Sequence, residues 1–186
     1  VIDKGDTIVE NTALLVVDVQ NALVLAKPFD VEKVVSNIKR LIDTCREKGV
    51  EVIYIQHSDD IGEELEPNTE AWQIYKDIRP DDNETVINKH YNSAFRETRL
   101  KEYLEEKGIH QLIITGMQTE YCVDTTCKVA FEYGYKLIMP EKTNTTFDNG
   151  SMLAEDLYTY YNFNIFKGRF AIVEDIEKTI ERINAN

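Results

Sequence analysis

Three times this chain spells the same phrase: a helix-like run, a glycine, and then a run rich in β-branched or aromatic residues. The phrases are Glu47-Lys48-Gly49 before Val50 to Ile55, Glu106-Lys107-Gly108 before Ile109 to Thr115, and Glu132-Tyr133-Gly134 before Tyr135 to Met139. A glycine placed there supplies the left-handed residue that closes a helix C-terminus, so each phrase reads as helix, stop, strand. Strands that alternate with helices imply βαβ crossovers and a parallel sheet. The patterning predicts strands near 13–19, 50–56, 84–88, 109–115, 135–139 and 163–167, and helices near 31–48, 97–107, 120–133, 152–161 and 174–184. In the longest helix Val31, Val34, Val35, Ile38, Leu41, Ile42 and Cys45 fall on one face, which should pack on the sheet. The expected fold is a three-layer α/β/α sandwich around a mainly parallel, six-stranded sheet, with residues 1–186 forming one domain.

Other features narrow the function. A length of 186 residues suits one sizeable core. No apolar run approaches the roughly 20 residues of a membrane span. A net charge of −13 repels phosphate backbones and anionic lipid, so neither a nucleic acid nor a membrane is expected as partner. Three cysteines, Cys45, Cys122 and Cys127, are too few for a disulfide scaffold. With no basic-then-apolar leader visible, a cytoplasmic location is expected. The eight glycines include no Gly-x-Gly pair and no phosphate-binding loop, which argues against a nucleotide-dependent protein; no cofactor is expected. Residues 57–83 form a long polar connection with a short helix expected around Glu70 to Lys76, and a lid, an interface and a plain surface loop all fit it. Its Trp72 would pack on substrate, on a neighbouring subunit or on the domain's own core.

In parallel sheets ligands bind beyond the carboxyl ends of the strands, so polar residues just after strands are the candidates. Asp18 ends an apolar strand, Lys89 follows Thr85 to Asn88, and Cys122 falls in the first turn of the helix running to Tyr133. A cysteine at a helix N-terminus beside a lysine is expected to be substantially thiolate at neutral pH, with Asp18 moving the proton. Cys127 shares an apolar stripe with Val123, Ala130 and Phe131 and reads as core, as does Cys45. His57, His90 and His110 share no context, so no histidine is expected in the set. Gln20, Tyr91, Phe95 and Tyr121 lie near these three in sequence and are expected to line the substrate pocket, the core being the alternative for Phe95.

The segment Gly116-Met117-Gln118-Thr119-Glu120-Tyr121-Cys122-Val123 closely resembles the cysteine motif of the isochorismatase-like hydrolases. Asp18-Val19-Gln20, Lys89 to Phe95 and Thr146-Phe147-Asp148 resemble further parts of the family's pattern. The resemblance implies an Asp18, Lys89, Cys122 triad, a cis peptide between Met117 and Gln118, an oxyanion hole from the Gln118 and Cys122 amides, and a homo-oligomer, dimer or larger. It leaves the substrate open, since relatives include nicotinamidases, carbamoyl-sarcosine amidases and isochorismatases. Nicotinamidases carry an aspartate and several histidines after the second strand to hold a metal; here only His57 stands there, so no metal is expected. The vinyl-ether isochorismatases typically lack the cysteine. The reading favours a cysteine hydrolase cleaving a small-molecule amide, carbamoyl or related C–N bond through a thioester on Cys122. A hydrolase of a non-amide substrate, or a non-catalytic family member serving as scaffold or regulatory subunit, is the alternative.

Overall fold

The computed structural model describes residues 11–185. The elements run β1 (Thr12–Val17), α1 (Asn21–Leu25), α2 (Val31–Lys48), β2 (Glu51–His57), β3 (Thr85–Lys89), α3 (Leu100–Glu106), β4 (Gln111–Met117), α4 (Asp124–Glu132), β5 (Lys136–Pro140), β6 (Asn144–Thr145), α5 (Ala154–Tyr160), β7 (Ile172–Glu174) and α6 (Ile176–Asn184). Six strands form one path in the order β3-β2-β1-β4-β5-β7, and β6 adds a seventh beside β4. Every strand pairing is parallel.

The three phrase glycines do what the sequence required. Gly49, Gly108 and Gly134 all take positive φ, at 71°, 65° and 88°. The helices pack on two faces. All six residues of β1 are buried; Ala13, Leu15 and Val17 meet Leu100, Leu104, Cys127 and Ala130 from α3 and α4. Leu14 and Val16 meet Val34, Ile38, Leu41 and Ile183 from α2 and α6. A central parallel strand covered on both faces must be apolar throughout, which is what Ala13 to Val17 supplies. No helix among the described residues is long and apolar enough to cross a membrane.

Two expectations fail. Residues 163–167 are not a strand: Tyr161–Phe166 form a π-helical turn continuing α5, and the strand lies later, at Ile172–Glu174. The alternation of Phe163 and Ile165 misleads, because the deeply buried positions are Leu157, Tyr158, Asn162 and Phe166, a helical spacing whose polar member breaks the apolar pattern. Residues 70–76 are not helical either; only a 3-10 turn, Lys76–Ile78, forms.

The 58–84 connection is a strap pinned across the carboxyl ends of β1 and β2. The buried amides of Gln20 and Gln56 both donate to the Trp72 carbonyl, at 2.8 and 2.9 Å, and Asn21 Nδ2 donates to the Glu70 carbonyl at 2.8 Å. Tyr75 N–H donates to Val19 O at 2.9 Å. Half-buried Trp72 donates its indole N–H to Ser58 Oγ at 2.9 Å.

Candidate active site

The carboxyl ends of four adjacent strands bring one polar cluster together. Asp18 follows β1, His57 closes β2, Lys89 closes β3, and Cys122 lies in the π-helical turn Thr119–Val123 beyond β4. Asp18 takes a left-handed φ of 52°, a conformation that aspartate tolerates better than most residues, and its N–H donates to Ile55 O at 2.9 Å. Gly116 permits the close approach of β4: a Cβ there would fall 2.0 Å from Val17 O, so no other residue fits. The peptide between Met117 and Gln118 is cis.

Lys89 is at the centre. Its side chain is fully buried, and its ammonium donates to Asp18 Oδ2 at 2.7 Å, to His57 Nδ1 at 3.0 Å and to Cys122 Sγ at 3.4 Å. A buried ammonium is tolerated only when its hydrogens and its charge are matched, and this one has three acceptors for three N–H groups and a carboxylate as counter-ion. The second Asp18 oxygen, Oδ1, is buried and has no hydrogen-bond partner. Asp18, His57 and Cys122 each present an atom within 4.8 Å of the other two. The Asp18 carboxylate and the Cys122 thiol are therefore near neighbours, with one carboxylate oxygen unengaged.

The surroundings of the sulfur oppose the thiolate expected from the sequence. Burial first, and the Asp18 carboxylate second, push the Cys122 thiol up to about 12, against the opposing pull of Lys89. Desolvation and a neighbouring anion thus favour the thiol over the thiolate, against one ammonium. His57 corrects a second expectation: a histidine does belong to the cluster. Burial and then Lys89 hold its pKa below the ordinary imidazole value, and its Nε2 lies 3.0 Å from Asp59 Oδ1. It is the last residue of β2 and pairs in register with Lys89, a partnership that the sequence alone does not display.

The other expected site residues divide. Gln20 is wholly buried, with Nε2 donating to the His57 and Trp72 carbonyls and Oε1 accepting the His57 N–H at 2.9 Å. Its donors and acceptor are all engaged, so it holds the strap and the end of β2 and offers nothing to a ligand. Phe95 lies in the core against the rings of Tyr133 and Tyr135. Tyr91 is half-buried under the Arg96 guanidinium. Tyr121 is exposed beside Cys122 and its hydroxyl accepts from Asn149 Nδ2 at 2.8 Å. Sequence reasoning missed Asn92, an exposed side chain whose Oδ1 lies 3.8 Å from Cys122 Sγ.

A buried polar network fixes the turn that carries the cysteine. Thr119 Oγ1 donates to Asn144 Oδ1 at 2.8 Å, and Asn144 and Asn162 exchange side-chain amide bonds at 2.9 and 3.0 Å. Among the described residues, Asp18, His57 and Cys122 form the one group close enough to ligate a metal. The Lys89 ammonium already occupies the space between them, and both nitrogens of His57 are engaged. A metal cation does not fit that arrangement.

The chain is similar to known proteins over most of its length. Residues 12–178 match the isochorismatase domain family. The chain is 32% identical over 177 residues to the isochorismatase family protein YddQ of Bacillus subtilis, covering 89% of this chain and 97% of that one. It is 31% identical over 205 residues to the ureidoacrylate amidohydrolase RutB of Yersinia enterocolitica, covering 89% and 86%. With nicotinamidase 3 of Arabidopsis thaliana it shares 29% identity over 193 residues, covering 94% and 90%. Among solved structures, an isochorismatase of Pseudomonas putida superposes with a TM-score of 0.86 at 27% identity, covering 91% of this chain and 90% of that one.

Proposed function

The chain belongs to the isochorismatase family and is a hydrolase, and from that premise we propose that it cleaves a small-molecule amide or related non-peptide C–N bond through a thioester on Cys122. The observation that carries this reading is the Lys89 ammonium bonded to both Asp18 and the Cys122 sulfur, with a second Asp18 oxygen left free. Relatives that act on amides, the amidohydrolase and the nicotinamidase, support the choice of bond.

The chemistry follows from the groups. Asp18 takes the thiol proton as the sulfur attacks the substrate carbonyl, so no standing thiolate is needed; Lys89 stabilises the sulfur while it is negative. The carbonyl oxygen of the tetrahedral adduct becomes an oxyanion, for which the backbone N–H groups of Gln118 and Cys122 are the proposed donors. Asp18 returns the proton to the leaving nitrogen, the C–N bond breaks, and an acyl thioester remains. Water then attacks the thioester, giving a proton to Asp18, and collapse releases the acid and restores the thiol. Asn92 and Tyr121, at the exposed side of the sulfur, are the proposed substrate contacts.

The test is hydrolysis across a panel of small amides and carbamoyl compounds, with intact-protein mass spectrometry of the acid-quenched enzyme. Expected is an adduct of acyl mass on the Cys122 peptide. Turnover without any such adduct, undiminished in Cys122→Ala, refutes the reading.

A further inference from the structure

Both ring nitrogens of His57 are committed, and their partners fix the direction of each bond. An ammonium is a donor only, so Nδ1 accepts from Lys89 at 3.0 Å. The proton of a neutral imidazole then sits on Nε2 and is donated to Asp59 Oδ1 at 3.0 Å. The other oxygen of Asp59 accepts the Leu65 N–H at 3.0 Å, and the Asp59 N–H donates to Leu65 O at 3.0 Å. Leu65 is buried, whereas Ile61, between them, is 90% exposed. A continuous hydrogen-bonded chain therefore runs from an exposed loop, through Asp59 and His57, to the ammonium that touches the Cys122 sulfur.

We propose that His57, oriented by Asp59, is a positioning residue for the Lys89 ammonium, and that the 59–65 loop is coupled through it to the nucleophile. This rests on Cys122 as nucleophile and adds two residues to the Asp18, Lys89, Cys122 set. The argument is one of counting. With its side chain fully buried, Lys89 has no solvent to replace a lost acceptor. Removing the imidazole leaves one ammonium N–H unpaired and lets the charge swing away from the sulfur. Protonating the imidazole has the same effect, since an imidazolium cannot accept a hydrogen bond and sets a second cation against the first. The groups facing the ring are Lys89 from β3, Asp18 beyond β1, Cys122 from the turn after β4 and Asp59 from the following loop. Burial and Lys89 keep the ring neutral against the pull of both carboxylates. The arrangement is thus complete at neutral pH and fails as pH falls through the lowered imidazole range.

The experiment uses the full chain, with His57→Leu, His57→Asn and Asp59→Ala. Cys122 alkylation by iodoacetamide is followed by peptide mass spectrometry, and kcat, KM and their pH profile are measured on the best substrate of the panel. Asparagine at 57 places an amide oxygen near the Nδ1 position and does not titrate. Expected in His57→Leu is a fall of roughly tenfold to hundredfold in kcat and in Cys122 alkylation, with KM within about twofold. His57→Asn should recover most of both and move the acid limb of the kcat/KM profile to lower pH, and Asp59→Ala should fall between. The proposal is overturned by wild-type alkylation and kcat in a folded His57→Leu protein. Should the leucine variant not fold, a His57→Asn protein with an unmoved acid limb overturns it. Alkylation needs no substrate, so it judges the placing of Lys89 even if Cys122→Ala, assayed separately, keeps its activity and refutes the nucleophile.

Discussion

Cys122 and Cys127 stand five residues apart on one stretch of helix, and the three largest influences on each are of the same kind and in the same order; Cys122 alone adds hydrogen bonds with Asp18 and Lys89. Burial first and a carboxylate second (Asp18 or Asp124) push each thiol up to about 12, against the pull of an ammonium (Lys89 or Lys128). Proton affinity therefore does not distinguish the proposed nucleophile from the core cysteine. Contact does. Cys127 is fully buried in the apolar core, and Lys128 turns to Asp124 on the exterior. Cys122 is half-exposed, touches Lys89, and lies near the Asp18 carboxylate. On the proposed mechanism, reactivity at this site is a matter of where the proton goes at the moment of attack.

The largest effect expected from breaking this contrast is Cys122→Ala, which should lower hydrolysis by roughly 10³-fold or more. Cys127→Ala should leave kcat within about twofold and cost about 1 kcal/mol of stability from the cavity, read by thermal or denaturant unfolding. Equal loss of activity in both variants would erase the distinction.

Asp18→Asn removes the proton acceptor and should lower kcat roughly 10²- to 10⁴-fold. Because it also removes the anion that opposes a negative sulfur, Cys122 in this variant should still alkylate with iodoacetamide. Loss of alkylation together with loss of turnover would mean that Asp18 is needed to ready the sulfur itself, and not only to carry the proton to the leaving group.

A thiol near 12 titrates far above neutrality, so Cys122 alkylation should rise steadily with pH through about 7 to 10, without a plateau near neutrality. A plateau there would reinstate a standing thiolate. Cys122 should nonetheless react ahead of Cys45 and Cys127, both buried. The smallest expected effect is that of a chelator, which should change the rate by less than about twofold if Lys89 fills the cation's place. Activity that returns only on adding zinc, iron or manganese would overturn that reading.

Much of the architecture was legible because its signals are local. The glycines after Lys48, Lys107 and Tyr133 end helices by backbone conformation alone, and the apolar face of residues 31–48 has the helical period. Asp18 and Lys89 could be picked out as polar residues at the ends of apolar strands. What escaped depended on pairings distant in sequence. His57 gains its meaning only through register with Lys89, and Gln20 looks like a ligand-facing amide until His57 and Trp72 are seen to use all its polar atoms. Asn162 misled the assignment of the last strand for the same reason, since a buried asparagine reads as surface until its partner, Asn144, is known.

That asparagine pair has a consequence for how the domain opens. Each amide is sealed from water, so parting them exposes or strands several polar groups at about 1–3 kcal/mol apiece. The bond from Thr119 to Asn144 and the exchange with Asn162 join the cysteine turn to the end of the α5 helix, over 40 positions later in the chain. Joined in this way the two turns should open together, and a fluctuation that frays residues 161–166 should disturb the cysteine turn before the sheet. A protease nick or destabilising substitution in that distant turn would be felt first as lost turnover and only later as lost fold.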